Sequence, residues 1–311
     1  MISSGKRAGR LVLLYVSVLA VLVLAIAASS SDQAVIGPNT TTLFLQSKDT
    51  TSTIIPTTSL PTSTTAGSTT SQPPSTTSQP PSTTSTTIPS GPIAGEQILF
   101  GRSVNGEPLV YIRRGDSKGA RILVIGSIHG DEDDGIPIVD HLRRIEIPEG
   151  IELWLIPSLN PDGNVAQTRQ NANGVDLNRN FPINWAPLEE LGHWQYAGPS
   201  PASEPETQAM VKLGEEIKPH LVLWYHQDYF RISPGSGVGG RIRQDYGDLT
   251  GLPILLVSGG TYTGTASQWS RTITAQGGTG FTIELGPTLS DYEALTHAQA
   301  VVAVAEKYFV D

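Results

Sequence analysis

Residues 29–94 decide how much of this 311-residue chain is free to fold. The stretch is dominated by Ser, Thr and Pro, and the heptad Ser-Thr-Thr-Ser-Gln-Pro-Pro at 68–74 recurs at 75–81 and begins again at Ser82. With so few large apolar side chains it cannot bury enough surface to offset its ordering entropy, and its prolines favour extended, solvated conformers. It is expected to be a disordered stalk whose hydroxyls also suit O-glycosylation. Fully extended, roughly sixty-five residues at about 3.3 Å each reach on the order of 200 Å. A compact core is therefore confined to residues 95–311.

Ahead of the stalk, Lys6, Arg7 and Arg10 precede an uncharged apolar run from Leu11 to Ala28, long enough to cross a hydrocarbon core as a helix. Residues 1–28 are expected to export the chain, with the basic flank inside and everything later outside the cytoplasm. A membrane anchor is the favoured reading. Cleavage near the small residues Ala25-Ile26-Ala27, giving a secreted protein, is the alternative.

Before residue 95 the only charges are Lys6, Arg7, Arg10, Lys48, Asp32 and Asp49, which leaves residues 95–311 with 16 Lys and Arg against 27 Asp and Glu. That acidic balance argues against nucleic acid as a partner, because phosphate binding draws on clustered basic side chains. A cationic or amine-bearing substrate fits the overall charge better. There is no cysteine, so disulfides, thiolate metal ligands and a thiol nucleophile are all excluded. Any metal must sit on His and carboxylate.

The folded part is expected to begin near Glu96. Asn105-Gly106 between apolar segments at 98–103 and 108–113 predicts a hairpin. Strands are expected at 122–125, 151–156, 221–225, 254–257 and 281–285, and helices at 137–145, 241–249, 266–276 and 291–309. Ser203-Glu204-Pro205-Glu206 has the spacing of a capping box and predicts a helix to about Ile217. Asn160-Pro161-Asp162-Gly163 predicts a turn. Strand and helix alternate, which implies an α/β domain with a largely parallel or mixed central sheet and helices on both faces. The polar stretch at 162–190 is too long for a plain connector and points to a functional loop.

Within this frame, Gly126-Ser127-Ile128-His129-Gly130-Asp131-Glu132 follows the apolar run Ile122 to Ile125. Ligands gather beyond the carboxyl ends of strands in open α/β sheets. His129 and Glu132 at that position form a candidate zinc pair, although four consecutive acidic residues also fit a solvated loop.

Four later segments then appear in order: Asn160-Pro161-Asp162-Gly163, Asn178-Arg179-Asn180-Phe181, a strand ending at His226, and Phe281-Thr282-Ile283-Glu284. Together with His129-Gly130-Asp131-Glu132 they resemble the zinc carboxypeptidase superfamily over about 98–285. Gly101-Arg102-Ser103, the stretch from Asn171 to Pro182, and the stretch from Ser203 to Gln208 are similar to the murein peptide amidases within it. The resemblance implies that His129, Glu132 and His226 bind one Zn2+ with a position open for water, an arrangement that zinc hydrolysis itself favours. It implies that Glu284 is the general base and that Arg169 polarises the scissile carbonyl, with Arg143 and Arg231 as alternatives. It also implies that Asn178 and Arg179 receive a substrate carboxylate.

Two further positions are open. Carboxypeptidases carry a tyrosine shortly before the region matching Ser258-Gly259-Gly260, where this chain has Leu255. Tyr262 is a candidate to replace that tyrosine from a shifted position, an ordinary loop tyrosine being the alternative. Asp228 is a candidate partner for a substrate ammonium, or an exposed loop acid.

The expected function is zinc-dependent hydrolysis of an amide bond in peptidoglycan stem peptides, by the resemblance that between γ-D-glutamate and diaminopimelate. Carboxypeptidase action on ordinary peptides and deacylation of N-acyl amino acids are the enzyme alternatives. An inactive wall-binding module is the non-enzyme one.

Overall fold

A computed structural model describes residues 95–256 and 258–310. The expected membrane segment and Ser/Thr/Pro stalk lie outside the described residues. Among the described residues no helix is long and apolar enough to cross a membrane.

Among the described residues seven strands form one sheet: β1 (Gln97–Arg102), β2 (Pro108–Gly115), β3 (Ala120–Ile125), β4 (Ile151–Ile156), β5 (Leu221–Gln227), β6 (Arg231–Ile232) and β7 (Thr279–Leu285). Their order across the sheet is β1-β2-β4-β3-β5-β7-β6. The hairpin β1–β2 is antiparallel and joins β4 antiparallel, whereas β4, β3, β5 and β7 run parallel. The two-residue β6 closes the other edge antiparallel to β7. The sheet is thus mixed, with a parallel centre.

The α-helices among the described residues are α1 (Gly135–Leu142), α2 (Pro161–Ala166), α3 (Pro205–Ile217), α4 (Gly237–Thr250), α5 (Ala266–Ile273) and α6 (Asp291–Phe309). They cover both faces, so the central strands are apolar on both sides rather than alternating with polar residues. Ile122 and Val124 of β3, with Leu221, Leu223 and Tyr225 of β5, pack into one core with residues of α1, α4 and α6. Their strand neighbours Leu123, Ile125, Val222 and Trp224 pack into a second core with residues of α3 and α5. The two-residue period of a strand makes this partition.

Several local expectations are corrected. Asn160-Pro161-Asp162-Gly163 is the first turn of α2, because the Asn160 side chain accepts a hydrogen bond from the Gly163 backbone N–H at 3.0 Å. The capping box at Ser203 does not form. Glu206 instead accepts from the Val104 backbone N–H at 2.9 Å and from Asn171 at 3.1 Å, so α3 starts at Pro205 without a side-chain cap. Of the strand expected at 254–257, residue 257 lies outside the described residues, and the rest is reduced to a single bridge between Ile254 and Ile232, with Leu255 and Leu256 exposed.

Candidate metal centre

The strands bring four distant residues to one place. His226 is the next-to-last residue of β5, and Glu284 of β7 is its partner in the parallel register. His129 and Glu132 sit in the loop after β3, which neighbours β5. All four therefore lie at the carboxyl ends of adjacent parallel strands.

The loop is held rigidly. Ser127 Oγ donates to the His129 carbonyl at 2.8 Å, and the Glu132 backbone N–H donates to the same carbonyl at 3.1 Å. A Cβ on Gly130 would fall 1.9 Å from the backbone of Gly163. Only glycine lets the His129 loop lie this close to α2.

His129 Nδ1 is 2.9 Å from Glu132 Oε2, His226 Nδ1 is 2.8 Å from the same oxygen, and the two Nδ1 atoms are 3.1 Å apart. Two ligand atoms about 2.0–2.1 Å from one zinc at a tetrahedral angle are separated by roughly 3.4 Å. The three atoms are already gathered on that scale. His129 Nε2 lies 3.0 Å from Asp176 Oδ1, and Asp176 is fully buried. Donation from Nε2 to that carboxylate keeps the proton off Nδ1, so the lone pair faces the cluster. The residues fit a zinc ion by donor type, spacing and tautomer.

Electrostatics reinforce the arrangement. Burial opposes charge on Glu132, but the imidazoles of His129 and His226 overcome it and hold the carboxyl well below its usual range. Asp176 is likewise driven down, against its burial, by His129 and Arg169. Glu284 behaves oppositely: burial raises its pKa, His226 counters in part, and the charge of Glu132 adds to the rise. Its Oε2 is buried without a hydrogen-bond partner. A basic carboxylate with a free acceptor suits proton transfer.

His129, Glu132, Arg169, Asn178, Arg179, His226, Tyr262 and Glu284 all line one cavity. Arg169 Nη1 donates to Glu132 Oε1 at 2.9 Å, and its Nε and Nη2 donate to Asp176 Oδ2 at 3.1 and 2.9 Å. Arg179 is buried, its Nη1 donates to the Asn178 carbonyl at 2.8 Å, and its Nε has no partner. Asn178 Oδ1 accepts from the Ala266 backbone N–H at 2.9 Å, fixing the loop against the start of α5. The Tyr262 ring lies 5.4 Å from the Arg179 guanidinium. Asp228 is exposed and outside the cavity lining. Arg143 pairs with Asp140 on α1, also outside the lining.

Asp176 and Trp194 are among the residues that escaped the sequence reading. Asp176 stands two positions before Asn178 in the segment already singled out, but nothing in that spacing distinguishes it from other loop acids. Trp194, in the cavity lining, stacks 5.0 Å from the Arg169 guanidinium.

Sheet and site together define an α/β domain with a His-Glu-His site of zinc-ligand type at the carboxyl ends of its parallel strands. The zinc carboxypeptidase family model matches residues 92–229. Murein peptide amidase A of Escherichia coli (strain K12) is 36% identical over 138 residues, covering 41% of this chain and 57% of that protein. The Vibrio campbellii protein of the same name is 34% identical over 139 residues, covering 41% and 56%. The chain thus spans a little over half the length of these relatives. The crystal structure of a murein-tripeptide amidase from Escherichia coli O157 matches 69% of this chain and 93% of its own, with a TM-score of 0.56 and 28% identity. Carboxypeptidase A from Helicoverpa armigera shares the fold, with a TM-score of 0.59 at 21% identity.

Proposed function

We propose that the domain hydrolyses an amide bond in peptidoglycan stem peptides, between γ-D-glutamate and a diamino acid such as diaminopimelate. One observation carries the reading: the metal-ligand trio converges beside the unpartnered buried Oε2 of Glu284, in the cavity that also holds Arg179. The 36% identity to a murein peptide amidase supports the choice of substrate class.

His129, Glu132 and His226 would hold zinc, which supplies an activated water at neutral pH and polarises the scissile carbonyl. Glu284 takes the proton from the attacking water and delivers it to the leaving amine. Arg179 and Asn178 receive the carboxylate of the leaving-side residue, for which a guanidinium fork is suited. Arg169, fixed by Glu132 and Asp176, presents positive charge where the oxyanion develops. The apolar segment at 11–28 and the stalk would place this chemistry outside the membrane, within reach of the wall.

Residues 95–311 incubated with zinc and defined muropeptides, with products read by mass spectrometry, test the reading. The expected products are split at the γ-D-glutamyl bond. Cleavage confined to the C-terminal residues of ordinary peptides would replace it with a plain carboxypeptidase.

A further inference from the structure

The cavity has a charge opposite to that of the domain. Residues 95–311 are acidic, yet five arginines line the cavity (Arg169, Arg179, Arg231, Arg243 and Arg271) against two carboxylates, Glu132 and Glu284. The overall charge favours an amine-bearing substrate, but within the cavity the arginines outnumber the carboxylates and suit an anionic group on it as well. Arg169 is committed to Glu132 and Asp176, and Arg179 serves the first substrate carboxylate in the reading above. Arg231, Arg243 and Arg271 remain. None of the three has a carboxylate within ion-pairing distance among the described residues.

Arg243 is the most informative of them. It projects from α4, is only 7% exposed, and lies 4.7 Å over the ring of Phe281. Its Nη1 donates to the Gly239 carbonyl at 2.9 Å and its Nη2 to the Gly280 carbonyl at 3.3 Å. These bonds orient the guanidinium without neutralising it. Burial, followed by the nearby charge of Arg271, lowers its pKa to about 10. Its seat is shaped for it: a Cβ on Gly235 would fall 2.2 Å from Arg243 Nη1. A buried cation lacking a counter-charge is costly, and proteins keep such groups where a ligand completes them. Phe281 is three residues before Glu284 on β7, so their side chains leave opposite faces of the strand, and Arg243 and the proposed base meet as lining of the one cavity.

We propose that Arg243, flanked by Arg231 and Arg271, receives a second carboxylate on the substrate, carried by the side chain of the residue whose amine leaves. The ligand class is a diamino dicarboxylic acid with its distal carboxylate free. The same residue with that carboxylate amidated, or lysine in its place, leaves Arg243 unmatched. This rests on the amide-hydrolase reading and adds to it a means of telling one wall chemistry from another.

The test compares three γ-D-glutamyl substrates, ending in diaminopimelate, in diaminopimelate amidated on the distal carboxylate, and in lysine. The zinc-loaded protein is expected to favour the first by about 10–100-fold in kcat/KM, mainly through KM, the scale of one charge-assisted pair. Arg243→Gln should erase that preference by losing activity on the first substrate alone, while Arg243→Lys, which keeps the charge, should restore part of it. Equal kcat/KM for all three on the unaltered protein would overturn the proposal. A calorimetric arm uses free diaminopimelate and free lysine, with Arg271→Gln as a second, exposed variant. Tighter binding of diaminopimelate that depends on Arg243 or Arg271 supports the proposal, and equal binding of the two refutes it. Failure to cleave any of the three substrates would sink the amide-hydrolase reading, and the binding difference would still decide the role of Arg243.

Discussion

Tyr225 and His226 are neighbours on β5, and they end in two buried polar clusters on opposite faces of the sheet. On the first face, Tyr225 Oη is 2.7 Å from Tyr246 Oη, which is 2.8 Å from His297 Nδ1. That chain joins β5 to α4 and α6 and satisfies each group by a neighbour. On the second face, His226 meets Glu132 and His129, and around them Glu284 Oε2, Arg179 Nε and Arg231 Nε are buried without partners. Burial is similar and pairing is not. A buried polar cluster that closes on itself stabilises the fold, whereas one left open is available to a ligand.

That contrast is open to attack by mutation. The largest effect is expected from Glu284→Gln, which should lower hydrolysis by about 10²–10⁴-fold while zinc content stays stoichiometric. Turnover near that of the unaltered protein would remove Glu284 as the base. Asp176→Asn should weaken zinc binding by about 10–100-fold, since His129 loses the acceptor that sets its tautomer. Competition with a chelator measures it, and unchanged affinity would make Asp176 a purely structural acid.

On the closed side, Tyr246→Phe is expected to cost about 1–3 kcal/mol in urea unfolding, by stranding the groups of Tyr225 and His297, with zinc affinity unchanged. An equal loss of zinc binding would mean that the two faces are coupled. The smallest effect concerns pH. Burial, opposed weakly by Glu293, lowers the His297 pKa to about 4. The unfolded chain, with an ordinary histidine near 6.5, therefore binds more protons than the folded one between those values. Stability from this source is complete above about pH 6.5 and lost as pH falls towards 4. Between pH 7.5 and 5.5 the loss should be about 1 kcal/mol, and a His297→Gln protein should show a flatter profile.

The same two faces show what a motif can and cannot say. Several segments that carry the family resemblance do scaffolding rather than chemistry. Ser103 Oγ donates to Asp162 at 2.9 Å, and Asn171 donates to both Glu204 and Glu206. These bonds tie the β1–β2 hairpin, the long loop and the start of α3 together. The closed chain of Tyr225, Tyr246 and His297 left no trace in the sequence, because its members come from three elements with no characteristic spacing.

By itself the sequence determined the elements whose patterns are local: the apolar runs of β3, β4, β5 and β7, the β1–β2 hairpin and α6. It also supplied His129, Glu132, His226 and Glu284 as an ordered set, through the resemblance of the segments that carry them to zinc carboxypeptidase motifs. The two-residue β6 is too short to carry a period, and 254–257 looked like a strand although little of it has an edge to pair with. Asp176 behind His129, Trp194 over Arg169, and Arg243 drawn into a cavity of an acidic domain were decided only by tertiary structure. Net charge and spacing along a chain are one-dimensional. Which charges face one another depends on how the strands are ordered across the sheet.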